Sequence, residues 1–369
     1  MEPRDDFQPI PARRPPPPPG LAARLRERLF GGWLSGAATL AILALGAWAL
    51  PRLLDWGLWQ AVWVPDAEAC QAARGHGACW GVVAEKHRLI LFGRYPFEEH
   101  WRPATTLALW GLLALWSVLR GGHPGGERAL AWGWLVGLLA GVGLLRGGFA
   151  GLPPVSTDQW GGLPLTLLLA LVAIALAFPL AVALALARRS GPPLLRGLAT
   201  LYIELVRGVP LVSVLFMASF IFPLLLPPGS NPDVLLRVLA GLSLFAAAYL
   251  AETIRAGLQS VPLAQAQAAR SLGLTPWQVQ RLVLLPQALR AVMPALLNSF
   301  ISTFKDSSLV TIVSLYELTG ALGLALSGDP VWRPFKVEGY LFVTAIYFIG
   351  CAAMSAGGRW AEARWRRGS

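Results

Sequence analysis

The chain has 369 residues, of which 55% are hydrophobic and only 14% are charged, and its mean hydropathy is +0.54. Soluble domains carry about 25% charged residues, so this composition excludes a soluble protein and predicts an all-α membrane protein. The formal net charge of +11 does not indicate nucleic-acid binding, because the arginines stand at the ends of apolar runs, where they act as topology signals.

Residues 1–32 form a polar tail rich in arginine, with a proline run at Pro15–Pro19. This tail cannot build a core and lacks a signal-peptide cleavage site, so we expect a disordered cytoplasmic segment. Apolar runs long enough to cross a bilayer follow, and they predict about eight transmembrane helices. The runs lie at about 33–51, 104–120, 129–146, 161–187, 208–227, 236–254, 287–304 and 339–357.

The first three spans form an N-terminal membrane module, residues 33–154, with a loop at 52–103 that contains Cys70 and Cys79. A disulfide between these cysteines can form if the loop is periplasmic, but the sequence does not decide whether it does. No His or acidic residues accompany them at metal-ligand spacing, so no metal site is expected. The remaining cysteine, Cys351, lies in an apolar run and is interpreted as a packing residue.

Acidic and basic residues stand close together at three places within or beside the later apolar runs. In two of these pairs the residues are three apart on one helix face, and we interpret them as ion pairs at the cytoplasmic edge. Direct contact with a substrate stays open for these two pairs. The third pair is adjacent in sequence and shares no helix face, so a gate or pathway role stays open beside local anchoring. The pairs are Glu204 with Arg207, Glu252 with Arg255, and Lys305 with Asp306.

A polar loop, residues 256–286, carries the signals of two short helices between apolar segments. A serine is a candidate cap for the first helix, and a glycine supplies the left-handed residue that ends it. The second helix begins with a Thr-x-x-Gln capping box and a proline in its first turn, and a later proline turns the chain back toward the membrane. These residues are Ser260, Gly273, Thr275, Pro276, Gln278 and Pro286.

Seven residues of the polar loop follow a spaced pattern: Gln267, Ala268, Ala269, Gly273, Val283, Leu285 and Pro286. The pattern resembles the EAA signature of ABC importer permeases, EAA-x3-G-x9-I-x-LP. Every spacing matches, while a glutamine stands where the family usually has glutamate. The resemblance implies that the polar loop is a cytoplasmic coupling loop that docks on a separate ATPase.

Three further phrases, ELVRGVPL at 204–211, AETIRAGLQSVP at 251–262 and KDSSL at 305–309, resemble those of the polar amino-acid branch of these permeases, the histidine/glutamine permease group. Ala256 replaces one usual glycine. The resemblance implies a type I ABC importer permease core at 155–360, followed by a cytoplasmic tail at 361–369. With its three extra N-terminal spans, the chain is most similar to the longer permease subunit of general L-amino-acid transporters of Gram-negative bacteria.

By this resemblance the chain is the permease subunit of an ATP-driven amino-acid importer in the bacterial inner membrane, with both termini in the cytoplasm. Implied partners are an ABC ATPase dimer, a second permease in a heterodimer, a periplasmic amino-acid-binding protein and the lipid bilayer; a homodimer stays open. We expect no catalytic residues and no bound cofactor, since no lysine stands in a G-x4-GK-[ST] phosphate loop and ATP is used by the partner.

Two other classes of membrane protein fit the sequence less well. An ion-coupled secondary transporter often has internal repeats and acidic residues in mid-membrane, but no convincing repeat relates the halves and most charges lie near span ends. A membrane-embedded enzyme is disfavoured because the four histidines lie in loops and form no H-E-x-x-H or comparable array.

Overall fold

The computed structural model describes residues 20–120, 126–227, 229–230 and 232–367. Most of this described part is helical and it contains no strand; an isolated bridge joins Gly162 to Glu317. This architecture confirms the predicted all-α class. The proline run Pro15–Pro19, with the expected disorder of that part of the tail, lies outside the described residues. The prediction of disorder is wrong for the end of the tail, because Leu21–Phe30 forms a helix, and its leucines, arginines and alanines are good helix formers.

The described residues divide into two compact units. The first contains those up to Val62 together with Gln71–Ala78. Its helices are α1 (Leu21–Phe30) and α2 (Trp33–Leu54), the latter continued by a π-helical turn at Asp55–Trp59. Helix α2 is apolar and buries none of its residues, which is the surface expected of a helix that lies in lipid.

The second unit begins at Trp63 and resumes at Cys79. A disulfide joins Cys70, in α3 (Ala67–Ala72), to Cys79, with 5.3 Å between their Cα atoms. Helix α4 (Gly81–Phe92) follows directly.

Lys86 of α4 forms an ion pair with a distant turn of the same unit. Its Nζ lies 2.8 Å from Oδ2 of Asp329. The hydrogen bond from Lys86 lowers the pKa of Asp329 below its ordinary value, and the positive charge of Lys86 acts in the same direction. The two segments are therefore joined by an ion pair outside the spans.

Helices α5 (Trp101–Arg120) and α6 (Gly126–Arg146) form an antiparallel hairpin. The side chain of Arg102 is fully buried where α6 ends. Its guanidinium donates to the carbonyls of Leu144 at 2.7 Å and Pro153 at 2.9 Å. Because the last carbonyls of a helix have no partner within the helix, Arg102 satisfies the end of α6.

The later helices follow in chain order. They are α7 (Gly162–Ser190), α8 (Pro193–Arg207), α9 (Leu211–Phe216), α10 (Phe222–Leu224), α11 (Val234–Ser260), α12 (Leu263–Ser271), α13 (Pro276–Gln278), α14 (Leu285–Ala291), α15 (Met293–Asp306), α16 (Leu318–Ser327) and α17 (Lys336–Arg367). π-Helical segments lie at Met217–Ile221 and Val279–Leu284, and 3-10 turns at Phe97–Glu99, Thr157–Gln159, Ser307–Val313 and Arg333–Phe335.

Helices α7 and α11 make the most extensive helix contact of the second unit. Along α7 a small side chain recurs at every fourth position, so the same face is presented on successive turns. These alanines are fully buried, and small side chains let helices in a membrane approach closely. They are Ala173, Ala177, Ala181 and Ala185.

Six single helices of the described part are long and apolar enough to cross a membrane. Two further candidate spans are bent helix pairs: Pro193–Arg207 with Leu211–Leu224, bent by 106°, and Pro276–Ala291 with Met293–Val313, bent by 67°. Counting each bent pair as one span gives eight, which agrees with the predicted number.

The predicted turn at Pro286 is wrong. Pro286 lies inside a continuous helical run that follows the π-helical segment Val279–Leu284, and the bend falls at Val292. A π-helical turn disrupts the usual hydrogen-bond register, so it can accommodate a proline that has no N–H to donate.

Candidate functional site

The polar loop, residues 256–286, begins in the last turn of α11 and continues through α12, a glycine turn and α13. It ends in the π-helical segment Val279–Leu284 and the start of α14. Gly273 has φ of +80°, and its N–H donates to the carbonyl of Arg270 at 2.9 Å, which ends the first helix as predicted. The predicted capping box is also confirmed. The N–H of Thr275 donates to Oε1 of Gln278 at 2.8 Å, and the N–H of Gln278 donates to Oγ1 of Thr275 at 3.3 Å.

The predicted cap at Ser260 is wrong. Its hydroxyl donates to the carbonyl of Gly257 at 2.8 Å, within the last turn of α11. Pro262 occupies the cap position of α12 instead. Its φ of −57° and ψ of 138° give the non-helical backbone of an N-cap residue, and no side chain caps this helix start.

Three large apolar side chains of the polar loop are exposed within the chain. Leu263 is 73% exposed, Leu272 is 83% exposed and Trp277 is 61% exposed. Gln267 and Ala268 are also exposed. Large apolar side chains left exposed on an otherwise polar loop indicate a surface that meets another protein.

The inner face of the polar loop packs against the helix ends beneath it. Ala269 is buried in one cluster with Ala185 of α7 and Leu258 of α11. Of the two matched alanines, only Ala268 is therefore available to a partner. Nε2 of Gln280 donates to Oγ of Ser190 at 2.8 Å, which ties the loop to the end of α7.

The last three matched positions also lie on this inner side or close to it. Val283 and Leu285 are half-buried and pack against the same cluster as Ala269, while Pro286 is exposed. The seven residues of the spaced pattern therefore form one helix–turn–helix surface with an inner, anchored part and an outer, open part.

An ion-pair cluster lies at the ends of α7, α8 and α11 that are nearest the polar loop. Arg188 bridges two carboxylates, with Nη2 2.7 Å from Oε1 of Glu204 and Nη1 3.1 Å from Oε2 of Glu252. Arg255 lies 2.5 Å from Glu252, and Arg207 lies 3.8 Å from it. Glu252 is thus surrounded by three arginines.

The cluster confirms one expected pair and corrects another. Glu252 and Arg255 pair as predicted, but Glu204 and Arg207 do not pair with each other. Glu204 pairs with Arg188 because the end of α7 lies closer to it. The sequence marks Arg188 only as a charge at the end of an apolar run, and its position between two carboxylates depends on helix packing.

A cavity of about 400 Å³ lies between α11 and α15. Asp306 lines it, while the adjacent Lys305 is exposed, which agrees with their expected placement on different helix faces. An acidic group beside a cavity in a membrane helix is a feature of translocation pathways. The polar lining residues are Tyr249, Asn298, Ser299, Ser302, Thr303 and Asp306.

Glu317 is fully buried, and sequence reasoning did not single it out. Its carboxylate caps α16 and accepts from the hydroxyl of Tyr347 at 2.8 Å. The hydroxyls of Thr311 and Thr166 donate to it at 3.2 and 3.4 Å. An acidic residue directly before an apolar helix is a cap signal that could have revealed it. Glu317 therefore joins α7, α16 and α17 through one side chain.

Comparison with known proteins gives relatives along most of the chain. It is 42% identical over 349 residues to the inner membrane amino-acid ABC transporter permease protein YhdY of Escherichia coli (strain K12), covering 93% of each chain. It is 34% identical over 409 residues to the glutamate/glutamine/aspartate/asparagine transport system permease protein BztC of Rhodobacter capsulatus, covering 94% of each chain.

A crystal structure of an amino acid ABC transporter with histidines is 33% identical, with a TM-score of 0.49, and the match covers 55% of this chain and 92% of that chain. Residues 177–367, just over half of the chain, match the family described as binding-protein-dependent transport system inner membrane component. From this match and the two nearly full-length relatives, the chain belongs to the family of binding-protein-dependent transport system inner membrane components.

Proposed function

We propose that the chain is the transmembrane permease subunit of an ATP-driven amino-acid importer and forms part of its translocation pathway. Family membership supports this, as do the names of YhdY and BztC, which describe amino-acid permeases. The observation that carries the proposal is the polar loop, which has the EAA spacing and exposes the large apolar side chains of Leu263, Leu272 and Trp277.

Separate subunits complete the importer. A dimer of ABC ATPases hydrolyses ATP and docks on the polar loop, so this chain has no ATPase activity and binds no cofactor. A periplasmic amino-acid-binding protein delivers the substrate on the other side of the inner membrane, and a second permease pairs with this chain as a heterodimer. Both termini lie in the cytoplasm, and the N-terminal module (33–154) is an addition to a type I permease core (155–360).

The polar loop transmits movement of the ATPases to the spans as one body. Ala269 packs inside the core, and Gln280 is hydrogen-bonded to the end of α7. Arg189 of α7 donates to the carbonyl of Leu258 in α11. A push on the loop therefore moves both helix ends together. ATP biases the spans between two states to the extent that it binds the ATPase dimer more tightly in one of them.

The cavity between α11 and α15 is a segment of the pathway. Asp306 offers a carboxylate to the ammonium group of an amino acid, and Asn298 and Ser302 offer hydrogen bonds nearby. Lys305 lies on the other helix face and takes no part in this segment.

Co-purification tests the docking surface. The tagged chain is purified in mild detergent with its native partners, as wild type and as Leu272→Ser. Leu194→Ser is the matched control, because Leu194 is also highly exposed but lies on α8. We expect an ATPase with a phosphate-binding loop to accompany the wild type and the control, and to be lost from Leu272→Ser. A wild-type chain that purifies without any ATPase would overturn the proposal.

A further inference from the structure

A polar cavity of about 440 Å³ lies at the end of the second unit opposite the polar loop. The polar loop follows one end of α11, and the cavity lies at the other end. Under the proposed function this end faces the periplasm. Four segments supply its walls: the turn after α4, the segment before α7, the start of α11 and the turn before α16. Their polar contributions include Arg94, Asp158, Asp233, Arg237 and Tyr316.

Close backbone packing fixes Arg94 at this cavity. Gly93 has φ of +64°, and a Cβ on it would lie 2.5 Å from the Cα of Gly161. A Cβ on Gly161 would in turn lie 2.7 Å from the carbonyl oxygen of Tyr316, which accepts from the N–H of Gly162 at 2.9 Å. Three segments thus meet with no side chain between them. The Cζ of Arg94 lies 6.0 Å from the ring centroid of Tyr316.

The charged groups of the cavity are only partly used by the fold. Asp233 caps α11. One nitrogen of Arg237 donates to the carbonyl of Ser219, but its buried Nε has no partner in the described part of the chain. Among the same described residues, Arg94 and Asp158 have no side-chain hydrogen bond or ion pair. Two guanidinium groups and one carboxylate that the fold does not pair therefore line one cavity, with Arg94 and Asp158 exposed and Arg237 half-buried.

We propose that this cavity binds an acidic α-amino acid at the periplasmic mouth of the permease. The chemical complement of two guanidinium groups and one carboxylate is a ligand with two carboxylates and one ammonium group. Arg94 and Arg237 each bind a carboxylate, for which the planar guanidinium fork is suited, and Asp158 binds the ammonium group. A volume of about 440 Å³ is within the ordinary size of ligand sites, about 300–1,000 Å³.

This inference rests on the proposed function and deepens it by naming a substrate class. It also gives the N-terminal module a part in recognition, because Arg94 lies outside the matched family region of 177–367.

Equilibrium dialysis of the purified full-length chain against radiolabelled L-glutamate, L-glutamine and L-lysine, without binding protein, tests the site. We expect glutamate to bind more tightly than glutamine, and lysine to bind most weakly. Arg94→Ala should weaken glutamate binding about tenfold, which corresponds to the loss of one charge-assisted contact. Asp158→Asn should weaken it similarly. Arg196→Ala, which removes an exposed arginine on α8, should leave it unchanged.

Two results would overturn the site. One is no glutamate binding by the folded wild type up to about 10 mM, where a site with a Kd of about 1 mM is nearly full. The other is glutamate binding by Arg94→Ala that equals binding by the wild type. If this variant binds glutamate normally but lowers the stimulation of ATP hydrolysis by the binding protein, the cavity holds a loop of that partner and not an amino acid. ATP-dependent uptake is measured separately, so an importer that transports but does not bind glutamate here keeps the proposed function and loses this site.

Discussion

Gly273 offers a direct way to change the geometry of the polar loop without touching its packing. Its φ of +80° is left-handed, and no heavy atom lies within 4 Å of the position that a Cβ would take. A side chain there meets open space, so only backbone strain changes. That strain is about 1–2 kcal/mol for an ordinary residue and smaller for asparagine, whose short polar side chain tolerates this region.

We therefore expect Gly273→Val to couple poorly and Gly273→Asn to resemble the wild type. A strain of about 1–2 kcal/mol lowers the population of the native loop geometry, relative to an unstrained geometry, about 5- to 30-fold. The assay is amino-acid uptake and ATP hydrolysis measured together in proteoliposomes that contain the whole importer. Uptake per ATP should fall in Gly273→Val only. Normal coupling in that variant, or an equal loss in both variants, would refute the reasoning.

Three further predictions concern stability, measured as the thermal unfolding temperature of the chain in detergent. Glu252→Gln should lower the free energy of unfolding by about 2–3 kcal/mol, because the Glu252 side chain is 24% exposed and contacts three arginines. Glu204→Gln should lower it by under about 1 kcal/mol, because that side chain is 56% exposed. Equal losses in the two variants would contradict the arrangement of the cluster. Reducing the Cys70–Cys79 disulfide, which closes a separation of nine residues, should cost about 3 kcal/mol, and a Cys70→Ser chain should not respond to reductant. Asp329 has a lowered pKa, so its ion pair stabilises the chain above the ordinary pKa of 3.8, and this stabilisation is lost as the pH falls through the lowered pKa. The wild type should therefore unfold at a higher temperature than Asp329→Asn near neutral pH, and this difference should vanish in acid. A difference that grows as the pH falls would contradict the prediction.

The features that the sequence predicted well are local ones. The capping box of Thr275 and Gln278 and the left-handed Gly273 depend on residues only a few positions apart, and both occur as expected. Apolar runs likewise predicted the spans, because a helix in lipid must satisfy its own backbone and needs a set length.

The features that it missed depend on distant contacts. Arg188 meets Glu252 across 64 positions, and no spacing rule connects them. Glu317 gathers hydroxyls from separate helices, so its local cap signal shows only part of its role. Pro286 looked like a turn because a proline usually breaks a helix, but a π-helical segment before it accommodates the missing N–H.

Under the proposed function, ATP hydrolysis by a partner is transmitted through the polar loop and drives amino-acid import through this chain. The most direct test is uptake of labelled amino acids into proteoliposomes that contain the chain, its co-purified partners and the binding protein. We predict that uptake requires ATP, is blocked by vanadate and is unaffected by a protonophore. Uptake by the chain alone that is abolished by a protonophore and unaffected by vanadate would contradict the claim and identify an ion-coupled transporter.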